Sequence, residues 1–155
     1  MADSDPKIRQ LLGELRDVDK NRRRTAVMKL GMIGGDEAVR ALIQTVKNDH
    51  EDLIVRGRAA LMLGKIGNAQ AVDPLIKALD APGFQTPLFA AQALGELGDI
   101  RAVGPLQAAL NTNSDKLREA ALNALKRLGH DPYNMPNAFS EYLEAEGDLD
   151  LDLER

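Results

Sequence analysis

Cysteine is absent from the 155 residues, and so is tryptophan. Without thiols the chain has no disulfide framework, no thiol nucleophile and no Cys-ligated zinc or iron–sulfur site. That composition suits a reducing compartment. Aromatic residues make up only 3% of the chain, so Ala and Leu must build the core, which favours closely packed helices. No stretch approaches the roughly 18 consecutive apolar residues of a membrane span. The opening Met1-Ala2-Asp3-Ser4-Asp5 has neither the basic nor the apolar segment of a signal peptide. A soluble cytoplasmic protein is the expectation.

A large charge of one sign is also missing, but the net charge of −4 hides an asymmetry. Residues 141–155 hold seven acids and one base, a net −6, while residues 1–140 hold 19 bases and 17 acids, a net +2. The body is nearly neutral and the end is strongly acidic. Tails of one sign often serve interaction or solubility.

What is present in abundance is repetition. Leu30-Gly31 with Ile33-Gly34 recurs as Leu63-Gly64 with Ile66-Gly67 and as Leu94-Gly95 with Leu97-Gly98. The spacings are 33 and 31 residues, and a weaker copy, Leu125 with Leu128-Gly129, follows 31 residues later. A period of this length marks a stack of helical units, each burying its apolar face only against its neighbours.

Aligned on the Leu-Gly step, the copies resolve into two helices per unit. Four residues before each Leu sits Ala26, Ala59, Ala90 or Ala121, a small residue one turn away that permits close helix approach. After each second Gly come Ala38-Val39, Ala71-Val72 or Ala102-Val103. Leu42, Leu75 and Leu106 follow, then Val46, Leu79 and Leu110. This spacing predicts an amphipathic helix. Each unit therefore reads as helix A, a glycine turn, helix B and a loop. Gly34, Gly67 and Gly98 are expected to end helix A in a left-handed conformation. Asn68 and Asp99 read as caps of helix B. Pro74 and Pro105 near its start either mark a late first turn or bend it.

The start of helix A repeats as well. Asp19, Asp52 and Ser114 stand eleven residues before their Leu as caps, and Arg23, Arg56 and Arg118 stand seven before it. The third unit breaks the rule with Gly83 and Pro87, so Thr86-Pro87 reads as N-cap and first turn of a late helix. At the ends, Asp5-Pro6 opens a lone helix B with Leu11, Leu12 and Leu15, and Asp115 to Arg127 forms a lone helix A. Tyr133, Met135, Pro136, Phe139, Tyr142 and Leu143 read as a cap over the last core face, which end units must shield. The expected organisation is a solenoid over 1–131, a capping segment over 132–146 and a flexible acidic tail over 147–155.

The run from Arg56 through Ala59, Leu63-Gly64-Lys65-Ile66-Gly67-Asn68 and Ala71-Val72-Asp73-Pro74-Leu75-Ile76-Lys77-Ala78-Leu79 resembles the HEAT-like repeat of the phycobilisome-lyase type. So does Leu94-Gly95-Glu96-Leu97-Gly98-Asp99 with Ala102-Val103-Gly104-Pro105-Leu106. The resemblance spans about residues 5–129. It implies an all-α fold, a right-handed α-solenoid of about three full helix pairs with half repeats at both ends. It also implies helix B on the concave inner face and helix A on the outer. For activity it is weak, since this repeat occurs in scaffolds, bilin lyases and metal-dependent hydroxylases alike.

Catalytic and metal-binding signatures are sparse. His50-Glu51 is similar to the His-Glu pairs that bind iron in HEAT proteins of the deoxyhypusine hydroxylase type. That chemistry needs several such pairs on helices, and here one lies in a loop. Asp148-Leu149-Asp150-Leu151-Asp152 copies the start of an EF-hand loop without its glycine or its closing Glu. No nucleophile–base–acid spacing stands out. The expectation is no enzyme activity, no cofactor and no metal site. Arg22-Arg23-Arg24 is the only basic run. It reads as a helix-A start, because near-neutral charge and few aromatics do not suit a nucleic-acid binder.

Projection of helix B gives a row of side chains on the inner face: Arg9, Gly13 and Arg16; Arg40, Gln44 and Lys47; Asp73, Lys77 and Asp80; Gly104, Ala108 and Asn111. The first half is basic and the last is small and neutral. The candidate partner-binding residues are Arg9, Arg16, Arg40, Gln44, Lys47, Asp73, Lys77, Asp80 and Asn111. A groove with a basic half suits an acidic segment of a protein partner, with the chain's own tail as one candidate occupant. The reading is a non-enzymatic interaction scaffold, with neither nucleic acid nor membrane as partner. The alternative implied by the resemblance is a bilin lyase or another chromophore-handling protein.

Overall fold

The first helix opens where Asp5 meets Pro6: the Asp5 carboxylate accepts from the Lys7 amide at 2.9 Å, and Pro6 occupies a position that needs no amide donor. This is the start of a computed structural model that describes residues 5–133. Among them, eight α-helices follow one another: α1 (Pro6–Glu14), α2 (Lys20–Ile33), α3 (Gly35–Lys47), α4 (Leu53–Ile66), α5 (Val72–Ala78), α6 (Gln85–Leu97), α7 (Val103–Ala109) and α8 (Asp115–Arg127). The chain is an all-α solenoid. Helices α2, α4, α6 and α8 form one row and α1, α3, α5 and α7 the other, as the repeat alignment predicts. The capping segment over 132–146, apart from its first two residues, and the acidic tail over 147–155 lie outside the described residues.

Asp19, Asp52 and Ser114 each cap their helix-A start through a backbone amide. Gly67 and Gly98 close α4 and α6 in the left-handed region, at φ 80 and 69. Gly34 departs from them. Its φ is 69 but its ψ is −158, and it ends α2 while preceding Gly35, the first residue of α3. The first unit thus has no polar turn between its helices. In the other two, Asn68 and Asp99 cap a short 3-10 turn, Ala69–Ala71 and Ile100–Ala102, which leads into α5 and α7. Pro74 and Pro105 lie in the first α-turn, where a missing amide costs no helical bond. They therefore mark a late start, not a bend.

Packing contacts join near neighbours along the chain. In the helix-A row α2 packs on α4, α4 on α6 and α6 on α8, and contact is far more extensive there than between successive B helices. Ala26, Ala59, Ala90 and Ala121 are fully buried. The tightest crossings, however, are made by the first glycine of each Leu-Gly step. A Cβ on Gly64 would lie 2.7 Å from both Cα and Cβ of Ala93, and one on Gly95 would lie 2.9 Å from Cα of Ala124. Gly31 faces Met62 in the same way. The fully buried Leu30, Leu42, Leu63, Leu75, Leu94, Leu106 and Leu125 run through the stack as its continuous core.

Two local expectations are corrected. Helix α6 begins at Gln85 with Phe84 before it, so Thr86 and Pro87 fall inside the first turn instead of capping it. Thr86 is buried, and its hydroxyl points 3.5 Å from the Leu53 carbonyl of the previous unit, so it serves packing between units. Tyr133, read as the first member of the end cap, is 79% exposed. Phe139 and Tyr142, for which burial was the expectation, lie outside the described residues.

Candidate protein-binding face

Apart from α3, the helix-B row is built from shorter helices than the helix-A row, and three successive clefts lie between its helices. The first, between α1 and α3, has about 380 Å³ and is lined by Leu12, Leu15, Arg16, Gln44, Thr45 and Glu51. The second, between α3 and α5, has about 300 Å³; Lys47, Lys77 and Arg56 meet there with Asp49, Asp80 and Pro82. The third, between α5 and α7, has about 400 Å³ and mixes polar and apolar surface, with Ile76, Leu79, Pro105, Ala108 and Leu117 beside Thr112. Asp80 and Asn111 also border it. The charge of the lining changes along the stack: one base and one acid in the first cleft, an excess of one base in the second, and Asp80 alone in the third.

All nine candidate residues read from the sequence are exposed. The structure places Arg16 and Gln44 in the first cleft, Lys47, Lys77 and Asp80 in the second, and Asp80 and Asn111 in the third. Arg9, Arg40 and Asp73 line none of the three. They come from the early part of their helices, whereas the clefts open near the C-terminal ends of the B helices. Asp73 faces Arg101 at 3.5 Å, and Arg101 also holds Asp99 at 2.8 Å. That arginine and a backbone amide keep the Asp99 carboxyl below the usual range.

Arg56 is the cleft residue that projection of helix B missed. It comes from helix α4, and it is 4% exposed. Its Nε and Nη2 donate to the Val46 carbonyl at 3.1 and 2.9 Å, at the end of α3. Asp49 lies 3.6 Å away and is itself exposed, and Nη1 is buried with no acceptor. The repeat position of Arg56 was legible, and its structural role is common to the set. Arg23 donates to the carbonyls of Asp17 and Val18, and Arg118 donates to that of Thr112 at 2.8 Å. Each arginine ties the start of helix A to the chain leaving the preceding helix B.

The basic run is spent in the same way. Arg22 pairs with Asp17 at 3.3 Å, Arg23 with Glu51 at 3.1 Å, and Arg24 grips both oxygens of Asp52 at 3.0 Å. Burial pushes the Asp52 carboxyl up. The Arg24 guanidinium and the amides of Val55 and Ile54 outweigh it and hold the group below its ordinary value. Glu51 of the His50-Glu51 pair also accepts from the Asp52 amide at 2.7 Å. Among the described residues there is no group of three or more His, Cys, Asp or Glu side chains able to hold a metal ion, and no helix long and apolar enough to cross a membrane.

A family model described as HEAT repeats matches residues 8–86, and one described as PBS lyase HEAT-like repeat matches residues 88–112. No curated protein matches. The complex of CpcE and CpcF of phycocyanin lyase from Nostoc sp. PCC7120 contains a chain similar at 30% identity and a TM-score of 0.67, over 83% of this chain and 56% of that one. Human deoxyhypusine hydroxylase is similar at 24% identity and a TM-score of 0.70, over 83% of this chain and 45% of that one. An engineered protein is similar at 20% identity and a TM-score of 0.61, over 80% and 63%. The chain thus spans about half the length of the first two, and the last two likenesses concern the fold alone.

Proposed function

Since the chain belongs to the HEAT-repeat family, we propose that it is a non-enzymatic interaction scaffold that binds a protein partner along its helix-B face. One observation carries this reading: three clefts in register, one per repeat, the middle one lined by Lys47, Lys77 and Arg56. A row of shallow sites at repeat spacing suits an extended segment, and the lysines of the middle cleft favour one with carboxylates. The test is affinity capture from native lysate with mass spectrometry, comparing the wild type with Lys47→Glu/Lys77→Glu. An outer-row variant, Lys29→Glu/Lys65→Glu, serves as the control. The reading expects a partner lost only with the helix-B variant and weakened by salt. Partners retained by both variants would remove it.

A second reading is favoured by the match to the PBS lyase HEAT-like repeat and by the likeness to the phycocyanin lyase complex. In it the chain handles a bilin, with the third cleft as the pigment's contact. New visible absorbance after mixing with bilin, reduced by Ala108→Glu, supports it. An unchanged pigment spectrum rejects it.

A further inference from the structure

The two clefts that flank α5 differ in chemistry, and a ligand spanning them must present two unlike groups. The α3/α5 cleft holds Lys47, Lys77 and the buried Arg56 against Asp49 and Asp80, a net excess of one positive charge. Arg56 Nη1 is a buried donor without an acceptor at this cleft, and an unmet donor of a charged group is costly to leave unpaired. The α5/α7 cleft has Asp80 as its one charged lining residue, and Ile76, Leu79, Pro105, Ala108 and Leu117 offer an apolar side chain part of its wall. Neighbouring packed helices stand about 10 Å apart. A segment in the polyproline II conformation rises about 3.1 Å per residue and turns once every three residues, so a ligand filling both clefts from one face carries its apolar and acidic groups three positions apart.

The chain contains such a segment. Reading from the α5/α7 cleft toward the α3/α5 cleft, Leu143 with Glu146, Leu149 with Asp152 and Leu151 with Glu154 all have this spacing. The segment 141–155 carries a net −6, the opposite of the cleft's sign. It also starts within reach. Helix α8, whose Leu117 borders the α5/α7 cleft, is about 20 Å long. The ten residues from Tyr133 to Leu143 extend to about 33 Å. Tyr133 is exposed, so the chain leaves α8 along the surface.

We propose that the chain's own acidic segment, residues 141–155, occupies the helix-B row, seating a leucine in the α5/α7 cleft and a carboxylate in the α3/α5 cleft. This self-docking rests on the scaffold reading, because it occupies the same face and competes with the partner there. An intramolecular ligand of this kind sets a threshold that an outside partner must exceed.

The absence of cysteine permits a direct test in the full chain. Gly147→Cys is combined with Asn111→Cys, beside the α5/α7 cleft, or with Gln92→Cys, exposed in the helix-A row. Intrachain disulfide formation is then timed under mild oxidation. Self-docking predicts formation about tenfold or more faster with Asn111→Cys, from the raised local concentration. Adding Lys47→Glu/Lys77→Glu, or raising the salt, brings the two rates together. Equal rates in the unmodified background overturn the proposal. Disulfide-linked dimers in place of the intrachain product also overturn it, in favour of a second copy as donor. If the rates are equal while Lys47→Glu/Lys77→Glu still loses a captured partner, the scaffold reading stands and only the self-docking falls.

Discussion

The two helix rows solve opposite problems with the same residue types. In the helix-A row a glycine marks every close crossing, and a neighbour's backbone or side chain fills the space that a Cβ would take. In the helix-B row Gly13 and Gly104 have nothing within 4 Å of an added Cβ. One row spends its small residues on contact. The other leaves space beside them. The difference teaches that a glycine in a repeat has no fixed meaning until its row is known.

The sharpest way to break this comparison is to make one substitution in both rows. Gly64→Ala should destabilise by about 1–3 kcal/mol, because the Ala93 backbone must retreat. Gly104→Ala, in open space inside α7, should instead stabilise by about 0.4–1 kcal/mol through a less flexible unfolded chain. Chemical denaturation of the two variants checks the opposite signs, and matching signs would dissolve the distinction between rows.

The next effect concerns the arginines that join the rows. Arg56→Ala strips the Val46 carbonyl of two charged donors and should cost about 1.5–3 kcal/mol. Arg118→Ala should cost less, since that side chain is 44% exposed. Equal thermal shifts for the two would show that burial of the guanidinium is irrelevant to the joint.

A smaller effect depends on pH. The Asp52 carboxyl is depressed in the folded chain, so its contribution is complete above the unfolded value near 3.8 and is lost as pH falls through the lower folded value. Asp52→Asn keeps a capping oxygen but loses the charge pair with Arg24, so its stability should change less steeply with acid than the wild type's. Melting curves across the acidic range compare the slopes. The smallest effect belongs to the face itself. Lys47→Glu/Lys77→Glu should move stability by no more than about 0.5 kcal/mol, since exposed charges contribute little.

The repeat register was readable because the Leu-Gly phrase fixes both the core leucines and the closing glycines. The bounds of α8, the opening of α1 and the caps Asp19, Asp52 and Ser114 follow from the same alignment. The start of α6 was not readable in that way. Thr86 has the side chain of a cap, but its hydroxyl faces the previous unit, and only the fold places Leu53 beside it. The close crossings were assigned to Ala59 and Ala90, which are indeed buried, whereas the contact glycine sits one residue beyond each core leucine. For the candidate site, projection of one helix found Arg16, Gln44, Lys47, Lys77, Asp80 and Asn111. It had no access to Arg56, Pro82 or Leu117, because a cleft between B helices is completed by the following A helix and its loop. Helical periodicity describes a face, and a cleft needs the neighbour.

The chain of near-neighbour contacts also has a kinetic consequence. The most extensive meeting of helices is between α4 and α6, in the middle of the stack, and α1 at its beginning is held mainly by α2 and α3. When partners are close in sequence, little loop entropy must be spent before contacts form, so such chains fold fast. In a one-dimensional array a nucleus forms where coupling is strongest and grows outward by adding units. The α4–α6 pair is then the seed, and α1 is the last piece to join and the first to fray. Order therefore spreads through this chain as a front moving along an axis.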